Sequence, residues 1–316
     1  MISKKCYVRK GVNIMNLLLT GAFNYSKQQM KALEELGCSI TFVQDEREEL
    51  NIDCSKFDAV VCNGLFLYTP IEKFSNLKYI QATSVGLDRL PLDYIKRSNI
   101  TLKNARGVYS IPMAEWCISR ILDVYKHSEF FFENQKNRKW EKHRGLMELY
   151  GKKATIVGAG DIGTETAKRL NAFGVDVMAV DIVKPTADCY CSYFDISDIQ
   201  KALSISDIVI ITLPLTDATR NLFDKELIAH IKDGSVIVNM SRGGIIDENA
   251  LAVALENGKL SAAILDVFEN EPLSVDSSLW DIKNLLITPH NSFVSDRNNQ
   301  RLFEIIYNNL KLHIDK

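Results

Sequence analysis

The stretch that decides the fold is residues 153–181, KATIVGAGDIGTETAKRLNAFGVDVMAVD. The apolar run 154–157 predicts a buried strand, the glycines that follow form G-x-G-x-x-G, and 164–173 has helical spacing. A second apolar run, 175–180, predicts another strand that ends at Asp181. Strand, tight turn, helix and strand in this order predict a dinucleotide-binding unit, and the alternative is a glycine-rich turn in another α/β protein.

The three glycines of the motif have separate physical roles. Gly158 allows a sharp turn, Gly160 lets backbone N–H groups approach a pyrophosphate, and Gly163 lets the helix pack closely on the strand. The pyrophosphate is then expected at the positive N-terminal end of the helix. Asp161 and Ile162, within the motif, are also predicted to contact the cofactor.

The acidic residue that ends the second strand predicts which cofactor binds. Asp181 lies 18 residues beyond Gly163. A carboxylate there can accept hydrogen bonds from a ribose diol and would repel a 2′-phosphate, so NAD(H) is expected and NADP(H) is disfavoured. Lys184, three residues further on, leaves NADP(H) binding open.

The length, net charge and cysteine content of the chain limit the classes of protein to which it can belong. A chain of 316 residues is long enough for two domains with separate cores. The formal net charge of −2, without a basic block, predicts neither nucleic acid nor a membrane as a partner. Seven cysteines without metal-ligand spacing predict free thiols in the cytoplasm and no bound metal, although Cys189 and Cys191 form a C-x-C. Residues 1–14 are interpreted as an extension rather than a signal peptide.

From residue 15 to about 104, apolar runs alternate with helical spacing, which predicts a first α/β domain with a parallel sheet. The turn after its fourth strand contains Val85 and Gly86, whose backbone N–H groups could hold a small anion, and an ordinary turn is the alternative. The expected strands are 16–19, 39–43, 59–62 and 79–81, with a helix at 26–36.

A long helical pattern follows this domain, from residue 113 to about 132, after Pro112. Apolar residues cover most of its circumference, so we expect a helix that links the two domains and meets a second copy of the chain. Phe131, Phe132 and Trp140 extend this surface, but an aromatic stripe is also typical of a core.

Three side chains suited to catalysis each come after an apolar strand: Arg242, Glu271 and His290. Carboxyl ends of parallel strands meet at one edge of a sheet, so we expect all three near one cleft. A guanidinium binds a carboxylate, an imidazole moves a proton, and a carboxylate orients the imidazole. Taken singly, each is also typical of a surface arginine, a charged turn or a capping histidine.

The ordered motifs resemble those of the D-isomer-specific 2-hydroxyacid dehydrogenases over nearly the whole chain from Met15. The motifs that carry the resemblance are VGAGDIG (157–163), LPLT and TRNL (213–222), NMSRGGIIDENAL (239–251), DVFENEP (266–272) and LWDIKNLLITPH (279–290). The resemblance implies two Rossmann-like, doubly wound parallel-sheet domains, an α/β fold. An NAD-binding domain, 109–290, would be inserted into a smaller substrate domain made of 1–108 and 291–316.

The resemblance also implies residue roles. Arg242 would bind the substrate's carboxylate and carbonyl, His290 would give or take the proton, and Glu271 would hydrogen-bond His290 and favour its protonated form. Asp266 would contact the nicotinamide carboxamide. Substrate contacts are further expected from Val85 and Gly86, and cofactor contacts from Leu213, Pro214 and Thr219.

The implied activity is D-stereospecific hydride transfer between nicotinamide and C2 of a small 2-hydroxy acid or 2-keto acid. The chain would be an oxidoreductase and a homodimer formed through the NAD-binding domain, with a helix after His290 that packs on the substrate domain. An NAD-sensing, corepressor-like regulatory protein is the alternative, and the absence of a long disordered tail or basic region argues against it. A formate dehydrogenase generally has glutamine where this chain has Glu271.

Two departures from the family limit the comparison. After TPH the family commonly has a small apolar residue and glycine, whereas this chain has Asn291 and Ser292. Members that act on phosphorylated substrates often carry Arg and Ser after the third strand, whereas 63–68 reads NGLFLY. We therefore expect an unphosphorylated, apolar keto acid, with Arg106 as a rival anion contact. The side chains expected near it are Leu65, Phe66 and Tyr68.

Overall fold

A computed structural model describes residues 14–315 of the chain. One unit consists of the described residues up to Val108 together with those from Asp296 onward, and the other is Tyr109–Ser295. The predicted N-terminal extension lies outside the described residues except for Ile14.

The second unit ends five residues beyond the boundary placed at 290/291 from the sequence. The backbone N–H groups of Asn291 and Ser292 donate to the Asp266 carboxylate, at 2.8 Å each, which holds this segment to the second unit.

Within residues 14–315, the first unit has a five-stranded sheet in the order β2-β1-β3-β4-β5, and the second has a seven-stranded sheet in the order β12-β11-β10-β9-β6-β7-β8. Every neighbouring pair is parallel. The predicted fold class is confirmed. The strands are β1 (Met15–Thr20), β2 (Cys38–Val43), β3 (Ala59–Cys62), β4 (Tyr79–Ala82), β5 (Thr101–Lys103), β6 (Lys153–Val157), β7 (Asp176–Asp181), β8 (Ser192–Asp195), β9 (Ile208–Ile211), β10 (Ser235–Asn239), β11 (Leu260–Leu265) and β12 (Leu285–Ile287).

Central and edge strands differ in how clearly the sequence marks them. β3, β4 and β9 are buried at every position, because helices cover both faces of a parallel sheet. β5 and β8 each lie at one edge of their sheet and are only partly buried. Their apolar runs are correspondingly weak, and neither strand is predicted from the sequence.

The helices are α1 (Lys27–Glu35), α2 (Leu92–Arg97), α3 (Ser110–Tyr125), α4 (Ser128–Lys136), α5 (Asp161–Ala172), α6 (Ile199–Leu203), α7 (Lys225–His230), α8 (Glu248–Glu256) and α9 (Asn298–Ile314). The glycine-motif helix, α5, begins three residues before the predicted 164. No helix within residues 14–315 is long and apolar enough to cross a membrane.

The single long helix predicted for 113–132 is wrong, because two helices occupy this region. α3 begins at Ser110, so Pro112 lies in its first turn, where the missing N–H costs no hydrogen bond. The chain breaks at His127, which has a left-handed φ of 50°. Its ring stacks on His143 at 4.1 Å between centroids. Contacts from a segment distant in sequence therefore fix a break that helical periodicity does not reveal.

The C-terminal helix α9 belongs to the first unit, as the resemblance implies. Leu302, Ile306 and Leu310 are buried along one face. Asn309 Nδ2 donates to Gln81 Oε1 at 2.9 Å, which joins the helix to β4. The first unit is therefore assembled from two separate parts of the chain.

Candidate active site

The glycine loop follows β6, whose neighbours β7 and β9 lie on opposite sides of it, so the loop lies where the strand order reverses. Gly158 has φ 102°, and a Cβ there would lie 2.8 Å from the Thr212 carbonyl carbon. A Cβ at Gly163 would lie 2.4 Å from the Gly158 oxygen, so α5 packs directly on the loop. Around Gly160, by contrast, a Cβ would meet nothing within 4 Å. The loop is tight on its inner side and open beside the start of α5, which fits a bound pyrophosphate.

The Asp181 carboxylate is fixed beside this loop. Its Oδ2 accepts from Ala159 N at 2.7 Å, and its Oδ1 accepts from Ile182 N at 2.7 Å. These bonds orient the carboxylate at the end of β7, where a ribose contact is predicted. Asp161 and Ile162, the first two residues of α5, lie at the same helix terminus.

The segment after β9 contains the other predicted cofactor residues, Leu213, Pro214 and Thr219. The Thr219 hydroxyl donates to the Pro214 carbonyl at 2.7 Å and accepts from Thr216 N at 2.8 Å, which closes the turn on itself. Asn221 N donates to the Gly244 carbonyl at 2.8 Å. This segment is thereby joined to the loop that carries Arg242.

Arg242 lies three residues beyond the end of β10 in an extended conformation. Its Nη1 donates to the Ser241 carbonyl at 2.8 Å, and its own carbonyl accepts from Asn239 Nδ2 at 2.9 Å. At Gly243, a Cβ would lie 1.8 Å from the Phe268 carbonyl carbon. Only glycine fits there, and the arginine loop therefore contacts the backbone of the loop that leads to Glu271.

Glu271 and His290 form a direct pair. Glu271 Oε2 lies 2.7 Å from His290 Nδ1, and Oε1 accepts from Phe268 N at 3.0 Å. Each side chain is 34% exposed, so the pair is reachable and only partly hydrated. Because Nδ1 is engaged by the carboxylate, Nε2 is the ring nitrogen left to exchange a proton.

Asp266, directly after β11, organises the histidine loop. The side chain is fully buried. Oδ1 accepts from the Thr288 hydroxyl at 2.5 Å and from Asn291 N at 2.8 Å, while Oδ2 accepts from Ser292 N at 2.8 Å. The Asp266 carbonyl also accepts from His290 N at 2.7 Å. These bonds stabilise the left-handed conformation of His290, φ 51°.

Neither this loop network nor the aromatic residues beside it are predicted from the sequence. Phe293 packs edge-to-face on the His290 ring, with centroids 5.9 Å apart, and on Tyr109 at 5.6 Å. The departure at 291–292 is compatible with the loop, because its bonds to Asp266 come from backbone N–H groups. The threonine of the TPH motif, Thr288, was the available sequence signal for the network.

The predicted substrate turn lies in the first unit, after β4. The Val85 carbonyl accepts from Asn104 Nδ2 at 2.8 Å, and the Gly86 carbonyl accepts from the Ser84 hydroxyl at 2.7 Å. Both peptide groups are therefore oriented by side chains of the first unit.

In the apolar loop after β3, the predicted position of Leu65 is wrong. Leu65 was expected near a substrate side chain, but it is wholly buried in the core of the first unit. Phe66 is partly buried and packs on Phe74, with ring centroids 5.6 Å apart. Leu67, at 60%, and Tyr68, at 46%, are the exposed side chains of this loop. The short 3₁₀ turn at Leu65–Leu67 directs the side chains in a way that residue type alone does not predict.

Among residues 14–315, no group of three or more His, Cys, Asp or Glu side chains could hold a metal ion. Cys189 is buried, whereas Cys191 is exposed.

A glycine-rich loop where the strand order reverses, with a Glu–His pair on the same parallel sheet, is typical of the class of nicotinamide-dependent oxidoreductases. The chain belongs to the D-isomer specific 2-hydroxyacid dehydrogenase family, whose NAD binding domain matches residues 118–292. The predictions of the family and of an NAD-dependent 2-hydroxyacid dehydrogenase are confirmed.

Individual relatives agree with this family. The chain is 36% identical over 263 residues to a hydroxypyruvate reductase of Thermotoga maritima, covering 81% of this chain and 84% of that protein. It is 31% identical to an (S)-sulfolactate dehydrogenase of Chromohalobacter salexigens, covering 88% and 92%. The structure of a D-lactate dehydrogenase from Aquifex aeolicus, complexed with NAD and lactic acid, matches 95% of this chain and 96% of that one with a TM-score of 0.78 and 25% identity.

Proposed function

We propose that the protein transfers hydride D-stereospecifically between NAD(H) and C2 of a small 2-hydroxy acid or 2-keto acid, with Arg242, Glu271 and His290 as its catalytic residues. The observation that carries the proposal is the 2.7 Å Glu271–His290 pair at the carboxyl edge of a dinucleotide-binding sheet. Nicotinamide, when bound, supplies or accepts the hydride.

His290 carries the proton in this proposal. In the reduction direction, Nε2 donates a proton to the C2 oxygen, and in the oxidation direction it takes that proton back. The Glu271 carboxylate holds the ring by Nδ1 and stabilises the positively charged imidazolium. Phe268 N in turn fixes the carboxylate, at 3.0 Å. The ring therefore needs little reorientation when it transfers a proton.

Arg242 binds the substrate carboxylate and polarises the C2 carbonyl. Its planar guanidinium suits two parallel hydrogen bonds to a carboxylate. The close packing of Gly243 on the Phe268–Glu269 backbone holds the arginine loop beside the loop of Glu271. The two loops thus form one rigid support for the substrate's two oxygen-bearing groups.

NAD(H) is the proposed cofactor rather than NADP(H). Asp181 is held at the end of β7 by Ala159 N and Ile182 N, and its carboxylate would repel a 2′-phosphate. Gly158, Gly160, Asp161, Ile162, Gly163, Leu213, Pro214, Thr219 and Asp266 are the other proposed cofactor residues. For Asp266 the proposed nicotinamide contact comes in addition to its bonds within the histidine loop.

We further propose a homodimer formed through the second unit, in the cytoplasm. Trp140 is 98% exposed and Phe132 is 61% exposed, and residues of 131–146 surround a hollow of about 830 Å³. Exposed aromatic side chains of this kind are enriched at protein interfaces. The six cysteines among the described residues are free thiols, which suits a reducing compartment. Sedimentation of the wild type beside Trp140→Ala tests the dimer, and cell fractionation tests the compartment.

The first experiment measures NADH and NADPH oxidation against a panel of unphosphorylated 2-keto acids. We expect rapid reduction of at least one keto acid with NADH. His290→Ala should lower the rate on the order of 10²–10⁴-fold by removing the proton donor. Arg242→Ala should lower it about 10²–10³-fold by removing a fixed charge from the carbonyl. His230→Ala, at the exposed end of α7, is the control and should leave the rate unchanged.

Full activity of His290→Ala would contradict the catalytic assignment. Binding of NADH without turnover of any keto acid would instead favour the corepressor-like alternative. That alternative is not favoured at present, because the relatives are named as dehydrogenases and reductases.

A further inference from the structure

A buried glutamate lies at the carboxyl edge of the first unit's sheet. Glu46, on the loop after β2, is only 8% exposed. Its Oε2 accepts from the Thr20 hydroxyl, at the end of β1, at 2.6 Å. Its Oε1 accepts from Gly64 N at 2.5 Å, and both oxygens lie 3.2 Å from Asn63 N, directly after β3. The carboxylate therefore joins the ends of three neighbouring strands.

The donors around Glu46 form an anion cradle. Two consecutive backbone N–H groups and a hydroxyl converge on one carboxylate, which is how loops bind phosphate and similar anions. Here the protein's own side chain is the anion. A substrate group cannot use the Asn63 and Gly64 N–H groups while Glu46 occupies them.

The charge of this carboxylate is not matched locally. Each of its partners is a neutral donor, and within residues 14–315 no cationic side chain forms an ion pair with it. Burial, with Glu46 as a further cause, raises the pKa of the Cys62 thiol. The pKa of Tyr25 is raised by burial, by Cys62 and by Glu46. The negative charge of Glu46 thus acts on Cys62, the last residue of β3, and on Tyr25, in the loop before α1.

This cradle adjoins the turn proposed to bind substrate. β3 and β4 are hydrogen-bonded neighbours, with Cys62 opposite Ala82, and parallel strands lie about 4.8 Å apart. Thr83 N donates to the Cys62 carbonyl at 2.9 Å, so the segments that follow β3 and β4 begin side by side. Asn63 and Gly64 leave the sheet next to the chain that leads to Val85 and Gly86.

We propose that Glu46 is a specificity-determining residue, which excludes substrates that carry a second anionic group such as a phosphate or sulfonate beside the keto acid. The proposal rests on the proposed function and on the predicted contact of substrate with the Val85–Gly86 turn. Glu46 acts in two ways: it occupies the N–H groups that would bind the second anion, and it repels that anion. The keto acids accepted by the enzyme then have an uncharged substituent at C3.

The test compares D-glycerate with 3-phosphoglycerate, which differ only by the phosphate, as ligands of the NADH-loaded enzyme. No turnover occurs in these mixtures, so calorimetric titration reports binding alone. We expect the wild type to bind glycerate more tightly. Glu46→Gln keeps an oxygen that can accept from Gly64 N but removes the charge. The ratio of the two Kd values should shift toward 3-phosphoglycerate by about 10-fold or more, because the variant no longer places a negative charge beside the phosphate.

Glu48→Gln is the matched control, because Glu48 lies two residues away and is exposed. Its Kd ratio should equal that of the wild type. A ratio of two Kd values does not depend on the folded fraction, so partial unfolding of Glu46→Gln cannot mimic the result. An unchanged ratio in Glu46→Gln overturns the proposal, as does tighter binding of 3-phosphoglycerate than of glycerate by the wild type.

The outcome is separate from that of the keto-acid panel. If the panel shows no turnover while the Kd ratio shifts, the dehydrogenase assignment fails and the anion-excluding role of Glu46 stands. If turnover is rapid and the ratio is unchanged, the reverse holds.

Discussion

The strands of the seven-stranded sheet have carboxylates near both of their ends. We call the side where the strands begin the amino edge and the side where they end the carboxyl edge, and the carboxylates at the two have different partners. At the amino edge, Asp207 accepts from Lys153 N at 2.9 Å and pairs with Lys232 Nζ at 2.7 Å. At the carboxyl edge, Asp266 accepts from neutral donors, and Glu271 pairs with His290, whose charge depends on its proton. At the amino edge the carboxylate forms an ion pair with a permanently charged lysine. At the carboxyl edge one carboxylate holds the His290 loop and the other holds the His290 ring, which can gain or lose a proton.

This difference separates stability from function. A carboxylate with a permanent cationic partner contributes to folding and has no proton to transfer at neutral pH. A carboxylate that faces an imidazole can change the protonation of that ring, which is the property a catalyst needs. Three substitutions, one for each carboxylate, test the distinction.

Asp266→Ala should have the largest effect. It removes the acceptor of three donors in the His290 loop and leaves buried N–H groups unpaired, each of which costs about 1–3 kcal/mol. A displacement of the imidazole by about 1 Å would itself cost about 10²-fold in kcat. Urea unfolding and steady-state kinetics measure the two effects. Asp266→Asn, which keeps one acceptor oxygen, should recover part of both, and wild-type kcat in Asp266→Ala would refute this role.

Glu271→Gln should have a smaller effect, confined to activity. Glutamine retains an acceptor for Phe268 N but loses the charge that stabilises protonated His290. We expect kcat to fall on the order of 10–10²-fold, because the amide does not hold the imidazole as the carboxylate does. Steady-state kinetics with NADH and a keto acid that the wild type reduces measure the change. Glu269→Gln, an exposed neighbour, is the control, and an unchanged kcat in Glu271→Gln would contradict the pairing.

Asp207→Asn should have the smallest effect, on stability alone. Burial by itself raises the pKa of Asp207. The hydrogen bonds from the Lys232 side chain and from Lys153 N outweigh burial and hold this pKa below its usual range. A lowered pKa stabilises the fold above the unfolded value of about 3.9, and this contribution is lost as the pH falls through the folded value. The free energy of unfolding should drop by about 1 kcal/mol at neutral pH, with a smaller difference in acid. Urea titrations at several pH values measure this, and a changed kcat would argue against the comparison of the two edges.

The local parts of the fold could be predicted from the sequence. The glycine motif requires particular backbone conformations, and the structure has φ 102° at Gly158 and close packing at Gly163. The apolar runs identify the buried central strands, and parallel topology then places Arg242, Glu271 and His290 at one edge of the sheet.

The features that could not be predicted from the sequence depend on contacts between residues that are distant in sequence. The break between α3 and α4 is accompanied by stacking of His127 on His143, which no helical periodicity records. Leu65 is as apolar as Leu67, yet one is buried and the other is exposed because of a single 3₁₀ turn. The bonds of Asp266 involve residues 22 to 26 positions away, so residue type and spacing alone do not predict them.

The two-part construction of the first unit has a consequence for biosynthesis. The second unit is one continuous segment, so all of its strands are synthesised before α9. Until α9 is translated, β4 lacks the helix that Asn309 joins to it. The first unit is therefore completed only after the second, and a truncation that removes α9 would leave the glycine loop and the Glu271–His290 pair in the chain while it uncovers apolar residues of the first unit.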